Sequence, residues 1–368
     1  MLRKNFTQEI AQQCVECGQC ADVCTLLKEI GESPLKIVER GAKAIEAFSC
    51  ALCGACESAC PLQLSPKKMF EQKRAEAVSQ KEFAVDELKY LYPDRKNCVT
   101  NVYRRYNKID YSDINVKSVA KVCFFPGCSM MTYSPELTRG VYQELVKSAQ
   151  CEGVWLECCA VPLEMLGLID RAKAMHKTMR TFVVEHQIET IIVACANCYY
   201  ALREIFSDLG VKVKTVYEVL DFTPSAQLNK KIYTIHDTCP DRAEGIFATQ
   251  IREAFRKKGL AMVEMEHTKK TAICCGSGGQ ISHTRPDLAK ALIDQRMMEA
   301  RKTKADELVG CCLSCVLKLE TNDSGFPVTH ALNLLLDIKE DFKGAKARSK
   351  AMLEGPDGEE IWDEIMTD

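Results

Sequence analysis

The sequence predicts a multidomain chain of α+β and α/β character: a mostly helical, cysteine-rich N-terminal block followed by two copies of an α/β cysteine-rich domain. Three observations carry this. A run of spacing C-x2-C-x2-C-x3-C opens the chain at Cys14–Cys24 and recurs at Cys50–Cys60. From about residue 119, short apolar runs alternate with amphipathic ones, as strands and helices do in succession. A five-cysteine pattern in that region then occurs twice: Cys239 follows Cys128 by 111 residues, Cys274 follows Cys158 by 116, and Cys312 follows Cys195 by 117. Loops absorb drift that small, so the second part reads as a duplicated unit of about 110 residues.

Residues 1–92 form the first unit. SPLKIVERGAKAIEAFS, between the two cysteine runs, places Leu35, Val38, Ala42 and Ile45 at helical spacing and predicts a joining helix. Residues 67–92 are charged, helix-prone and stop at Pro93, the exit from this unit; 93–118 carry few apolar repeats and read as a linker. The first α/β copy, 119–227, opens with a strand at 121–125 ended by Pro126-Gly127-Cys128. A helix at 135–148 starts on Pro135, which a first turn tolerates. A second helix, 170–187, aligns Ala172, Met175, Met179, Phe182 and Val183, and ETIIVACANCYYALREIF then reads strand, turn, helix. The second copy, 228–343, repeats this with a strand at 232–236, helices at 248–259 and 286–301, and strand, turn, helix in ADELVGCCLSCVLKLE. The charged stretch 344–368 predicts a surface helix or a partner-binding extension.

Composition narrows the function classes. The 368 residues suffice for two or three cores, and 46% hydrophobic with 27% charged residues is ordinary for a folded protein. Basic and acidic residues number 49 and 51, and no basic stretch interleaves with aromatics, so a nucleic-acid partner is not expected. Apolar runs such as 191–196 fall well short of the roughly 20 residues that cross a bilayer, and MLRKNFTQEIAQQC lacks the apolar centre of a secretory signal. A cytoplasmic chain is expected, with no membrane span of its own and peripheral at the inner face of the membrane only through a partner. The outlier is cysteine, with 22 residues. In a reducing compartment dense cysteine spacing indicates metal rather than disulfides.

The N-terminal runs suit cubane [4Fe–4S] clusters. Three closely spaced thiolates wrap three irons, and in two-cluster ferredoxins the last cysteine of each run serves the other cluster. That assigns one cluster to Cys14, Cys17, Cys20 and Cys60, and a second to Cys50, Cys53, Cys56 and Cys24. Gly18 and Gly54 sit where backbone passes close to sulfide. Zinc prefers two separated C-x2-4-C pairs and has no tetrahedral use for a third cysteine so near. Thr25 stands where proline often follows the fourth cysteine, whereas Pro61 is present in the second run; proline shapes the turn and leaves the ligands unchanged.

Each later copy offers C…CC…C-x2-C: Cys128, Cys158, Cys159, Cys195 and Cys198, then Cys239, Cys274, Cys275, Cys312 and Cys315. Adjacent cysteines cannot both face one small ion without strain, but they can reach different irons of an elongated cluster. Five thiolates also exceed what a cubane uses, so a polynuclear iron–sulfur site is expected. Cys128, Cys195, Cys239 and Cys312 fall at predicted strand ends before helices, where open α/β sheets bind ligands and helix N-termini favour thiolates. Gly276, Gly278 and Gly279 of CCGSGG would let backbone N–H groups approach sulfide.

Cys98, Cys123, Cys151 and Cys311 lie outside the pattern and read as core residues, with Cys311 a substitute ligand beside Cys312 as the alternative. The six histidines form no H-x3-H pair; His236 and His283 read as structural, with proton donation during thiol chemistry as the alternative. Arg104-Arg105 and Lys269-Lys270 read as solvated faces. No G-x-G-x-x-G or Walker loop is present, so no flavin or nucleotide is expected in this chain, and any flavin belongs to a partner.

HDTCP, CCGSGG and GCCLSC together resemble the CCG-type cysteine-rich domain of the B-type and D-type chains of heterodisulfide reductase. Related iron–sulfur subunits occur in glycolate oxidase, anaerobic glycerol-3-phosphate dehydrogenase and lactate-utilisation systems. The N-terminal block resembles the C-type chain of the same enzyme, and the fusion over residues 10–335 has the D-type layout. The resemblance implies one or two noncubane [4Fe–4S] clusters, held by the five cysteines of each copy; the first copy departs in having Ala160 where glycine is usual. It implies an electron-transfer subunit of an anaerobic oxidoreductase complex that passes electrons from cubane to noncubane clusters, where a disulfide is cleaved to thiols or formed. Cys239, Cys274, Cys275, Cys312 and Cys315 would then be catalytic as ligands. The implied partner is a flavoprotein, a ferredoxin or a membrane cytochrome or quinone-linked protein. The alternative is a pure electron conduit for a flavin dehydrogenase of glycolate, lactate or glycerol-3-phosphate type. A pocket lined by cluster cysteines and basic residues would favour catalysis, and a docking surface near the charged tail would favour the conduit.

Overall fold

Two small parallel sheets frame the molecule, whose computed structural model describes residues 5–224, 230–322 and 324–367. In the first sheet β1 (Val122–Phe125) lies between β2 (Gly153–Val154) and β3 (Thr190–Val193), with β4 (Lys212–Thr215) outside β3. Parallel neighbours require crossover connections, and the helices Pro135–Ala149, Ile169–Glu185 and Ala196–Ile205 supply them. The second sheet repeats the order with β5 (Ile232–His236), β6 (Ala261–Met262), β7 (Glu307–Gly310) and β8 (Val328–His330). Its crossovers are the helices Ile246–Lys258, Pro286–Lys302 and Leu313–Leu319. Register agrees as well: Phe125 ends β1 opposite Val193, and His236 ends β5 opposite Gly310.

Strands covered on both faces are apolar almost throughout, and Cys123, Phe124, Phe125, Ile191, Ile192 and Val193 are all buried. One continuous apolar cluster spans both sheets. Phe247 of the second unit meets Tyr199 and Tyr217 of the first at 5.7 and 5.9 Å between ring centres, so the two units share a core.

Among the described residues the N-terminal region has helices and no strand, as expected for a ferredoxin-like block ahead of two α/β cysteine-rich units. The joining helix expected across 33–49 is two helices, Pro34–Glu39 and Ala44–Phe48. Gly41, in the left-handed region at φ +80°, turns the chain between them. The stretch 93–118, expected as a linker, carries the helix Val99–Tyr106. Its Val102 and Tyr103 pack with Met352 and Ile365 of the tail helices Phe342–Glu354 and Gly358–Met366. Each of these helices buries only a few apolar residues, too few to show as a repeat. The start of the 1–92 unit, the expected boundary between the α/β copies at 227/228 and the last residue of the tail fall on residues 1–4, 225–229 and 368, outside the described residues. No helix among the described residues is long and apolar enough to cross a membrane.

A single guanidinium ties the three regions together. Arg74, on the helix Pro66–Ser79, is fully buried and donates to the carbonyls of Ala47 (2.8 Å), Cys50 (2.6 Å) and Gly279 (2.8 Å), and also to that of Met165. Truncation leaves three buried carbonyls and one part-buried carbonyl without this donor. Arg74→Ala should cost about 3–5 kcal/mol, by analogy with breaking other buried charged networks, read as a lower unfolding midpoint of the iron-loaded chain. Arg74→Lys, which has no planar fork, should recover less than half of that loss.

Candidate metal centres

The N-terminal cysteines are positioned by short helices whose turns pass through glycine: Gly18 at φ +81° and Gly54 at φ +72° precede the helices Gln19–Asp22 and Ala55–Ala59. Cys14, Cys17, Cys20 and Cys60 line one cavity of about 260 Å³, whose wall also includes the apolar Ile10, Leu27 and Leu64 and the charged Glu16, Lys28 and Glu32. Burial pushes the Cys20 thiol up, and the charges of Cys14 and Cys60 act in the same direction. Cys24 sits with the second run. Burial pushes it up to about 11, with Cys53 adding to the effect. Cys56 is raised by burial and then by Cys50, Cys53 and Cys24. Cys60 thus lines the cavity of the first run, and Cys24 lies close enough to feel both Cys53 of the second run and Cys20 of its own.

In each α/β unit the loops leaving the central strands carry the sulfurs. Cys128 opens a helix just after β1, Cys195 caps the helix Ala196–Ile205 after β3, and Cys198 lies on that helix. Cys312 and Cys315 occupy the same places after β7, and Cys239 follows β5. Cys158-Cys159 and Cys274-Cys275 come in on loops from the side. All ten reach their own set. Hydrogen bonds from the Cys158 thiol hold Cys128 down and Cys159 well below the usual thiol range. Cys274 does the same to Cys275, whose Sγ lies 3.1 Å from that of Cys315.

The sets also touch one another. A hydrogen bond from Cys274 holds Cys53 down to about 6, and one from Cys195 holds Cys312 low. The second run of the N-terminal block thus abuts the second unit, which in turn abuts the first.

Ala160 adopts φ +62° where the second unit has Gly276 at φ +78°. The conformation disfavours a side chain, and the Ala160 methyl is compensated by burial in a cluster with Phe48, Leu163 and Leu166. The glycines of CCGSGG divide their work. Gly276 N–H reaches Cys274 Sγ at 3.4 Å, whereas a Cβ on Gly278 or Gly279 would come within 2.4 Å of a backbone oxygen of Ala51 or Cys50. Two of the three thus serve contact with the N-terminal block rather than sulfide.

All 22 cysteines are free thiols. Cys98, Cys123, Cys151 and Cys311 are buried in the interior, and burial pushes Cys311 well above its ordinary value beside Tyr217. Sulfurs gathered in fours and fives, nearly all buried or half-buried, repel one another once ionised, so the donor chemistry fits a strongly cationic thiophilic group, as iron–sulfur clusters provide.

Between the α/β units opens a cavity of about 980 Å³. Its wall includes Cys128, Cys159, Cys195 and Cys198 from one unit and Cys239, Cys275, Cys312 and Cys315 from the other. Ser129 and Ser314 meet across it at 2.8 Å. Lys67, Lys68, Lys318 and Lys346 also line it, as do His283 and Trp362. Lys318 and Lys346 form no ion pair among the described residues; burial lowers the Lys318 pKa and Lys346 lowers it further. Burial holds His283 down to about 4, and its Nδ1 meets the Tyr90 hydroxyl at 2.8 Å.

The sequence reading passed over Arg74, Arg242 and the cavity lysines. Arg242 donates to the Cys53 carbonyl at 3.0 Å, joining the second unit to the N-terminal run. A signal existed for Arg74: it shares the buried stripe of its helix with Met69, Phe70 and Ala77. A charge at a stripe position marks a buried network.

Residues 122–203 and 233–320 match the cysteine-rich domain family named CCG, and residues 9–64 match the 4Fe-4S dicluster domain. The chain is a CCG-domain iron–sulfur protein. At low identity it is related to iron–sulfur chains of the D-type heterodisulfide reductase and B-type fumarate reductase kind. The B chain of the fumarate reductase (CoM/CoB) of Methanothermobacter marburgensis is 24% identical over 341 residues, covering 83% of this chain and 67% of the relative. The D chain of the dihydromethanophenazine:CoB–CoM heterodisulfide reductase of Methanosarcina barkeri is 23% identical over 358 residues, 82% of this chain and 86% of the relative. Lactate utilization protein A 1 of Bacillus mycoides is 24% identical over 231 residues, 56% of this chain and 92% of the relative.

Anaerobically prepared Cys24→Ser and Cys56→Ser chains should lose the same electron paramagnetic resonance signal, and Cys60→Ser and Cys14→Ser a different one. Each should lower bound iron by about four atoms per chain, one cubane's content.

Proposed function

We propose that the chain is an iron–sulfur redox subunit that receives single electrons at its N-terminal block. It uses them in the cleft between its α/β units to reduce a disulfide to two thiols, or runs the reverse. The observation that carries this reading is the cavity with four cysteines from each unit and two unpaired lysines in its wall. Cys14, Cys17, Cys20 and Cys60 would hold one cubane cluster, and Cys50, Cys53, Cys56 and Cys24 the other. Cys128, Cys158, Cys159, Cys195 and Cys198 would hold a noncubane cluster in the first unit, and Cys239, Cys274, Cys275, Cys312 and Cys315 one in the second. Such clusters supply electrons singly, whereas cleaving a disulfide takes two electrons and two protons and yields two thiols.

The chain's own residues provide the rest. Contacts of Cys53 with Cys274 and of Cys312 with Cys195 keep the sulfur sets within one continuous series. The cavity suits a small organic molecule. Lys318 and Lys346 would hold its acidic groups, beside the hydrogen-bonded pair of Tyr90 and His283. Exposed Val15, Cys17 and Leu62 edge the outer N-terminal site, a surface fit for a ferredoxin, flavoprotein or cytochrome partner on the cytoplasmic side.

That exposed edge also favours a second reading, a pure conduit for a flavin dehydrogenase. The two separate experimentally. Iron-loaded chain reduced with dithionite and freed of excess reductant should release two thiols per carboxylated or sulfonated disulfide. Lys318→Ala with Lys346→Ala should raise KM about tenfold, a loss near 1.4 kcal/mol, with iron content unchanged. No thiol release, with normal oxidation by an electron acceptor, would select the conduit.

A further inference from the structure

The second α/β unit contains a buried polar relay that the first unit lacks. His236, fully buried at the end of β5, accepts a hydrogen bond at Nδ1 from Arg296 Nε at 3.0 Å. Arginine only donates, so the ring carries its proton on Nε2. That Nε2 is buried and has no hydrogen-bond partner among the described residues. The imidazole lies in a group with the sulfurs of Cys275 and Cys315 whose ligand atoms are all within 4.8 Å of one another. With Nδ1 committed to Arg296, Nε2–H is the one donor the ring has left for the neighbouring sulfurs. Arg296, also fully buried, is fixed in turn by Glu299 at 2.6 Å and the His267 carbonyl at 2.9 Å.

The corresponding place in the first unit is apolar. Phe125 ends β1 in the register position that His236 holds on β5. The helices Ile169–Glu185 and Pro286–Lys302 both have 17 residues, so Met179 takes the place of Arg296, and Phe182 that of Glu299. Phe125 and Phe182 close on Trp155 with ring centres 5.3 and 4.7 Å away. One duplicated framework thus backs one sulfur set with His–Arg–Glu and the other with Phe–Met–Phe.

We propose that His236 donates an Nε2–H hydrogen bond to the Cys275 sulfur and thereby sets the second unit's centre at a higher reduction potential than the first unit's. This rests on the reading that both five-cysteine sets hold iron–sulfur clusters. Reduction adds negative charge that spreads onto the ligating sulfurs, and a donor aimed at such a sulfur stabilises the reduced form more than the oxidised one. The matching aromatic and thioether groups of the first unit offer no such donor, and His176 there is hydrogen-bonded to the Cys159 backbone. The centre that abuts the N-terminal block through Cys53 and Cys274 is then the one on which electrons come to rest. His236 is a positioning residue that acts through the ligand sulfur, and Arg296 and Glu299 hold its tautomer and orientation.

The test is a potentiometric titration, followed by electron paramagnetic resonance, of anaerobically prepared full-length chain. His236→Phe, the residue of the first unit, should move one centre to lower potential and leave the other centres and the iron content unchanged. His236→Gln, which keeps an N–H donor, should retain at least half of the difference. In wild-type chain labelled with 15N-histidine, the reduced second centre should show a hyperfine coupling to histidine nitrogen. Superimposable titrations of wild type and His236→Phe at equal iron content would overturn the proposal. Absence of histidine coupling in wild type would do so too, and that measurement decides the matter if His236→Phe fails to hold iron. Absence of iron and acid-labile sulfide from wild type itself is a different result, which would overturn the iron–sulfur reading.

Discussion

The buried guanidinium of Arg74 is the contact on which the arrangement of sulfurs depends. Removing such a cation from water costs several kcal/mol unless its donors are satisfied, and four carbonyls from three parts of the chain satisfy them. Burial pulls its pKa down only to about 10, so it stays charged at neutral pH, with Cys50 acting in its favour. The carbonyls belong to the segments that carry Cys50, the Cys158-Cys159 corner and the CCGSGG loop, so one charge sets three cysteine-bearing segments against each other. Close packing reinforces it, because Gly278 and Gly279 leave no room for a side chain against Cys50 and Ala51.

That arrangement places the sulfur sets in an order different from their order in the chain. The second run of the N-terminal block adjoins the sulfurs of the second α/β unit, through Cys53 and Cys274, and that set meets the first unit's sulfurs through Cys312 and Cys195. Duplication supplies two like halves and a cleft where they face each other. The halves are not chemically equal: the strand position that is phenylalanine on one side is a tautomer-fixed histidine on the other. The stretch 93–118 and the tail close part of the same cleft, with Trp362 and Lys346 in its wall. They act as walls of the site rather than as connectors.

Much of this was legible without coordinates. Cysteine spacing reports ligand geometry over a few residues, and the strands announced themselves because a sheet covered on both faces must be apolar. The repeat offset was legible for the same local reason. The break at Gly41 was not, since the apolar spacing runs through it and only the left-handed backbone reveals the turn. The helix Val99–Tyr106 escaped notice because Val102 and Tyr103 find their apolar partners, Met352 and Ile365, some 250 residues further along.

Sequence alone determined which sulfurs could act together within each run, that the α/β unit is duplicated, and that no nucleotide fingerprint accompanies them. Those are properties of neighbours in the chain. Only the tertiary structure decided which run meets which unit, which arginines go inside, and that His236 lies beside Cys275 and Cys315 while Phe125 packs on Trp155. The physical reason is range. Ligand spacing and strand burial are local, whereas desolvating a charge or fixing a tautomer requires acceptors and donors brought together from distant parts of the chain.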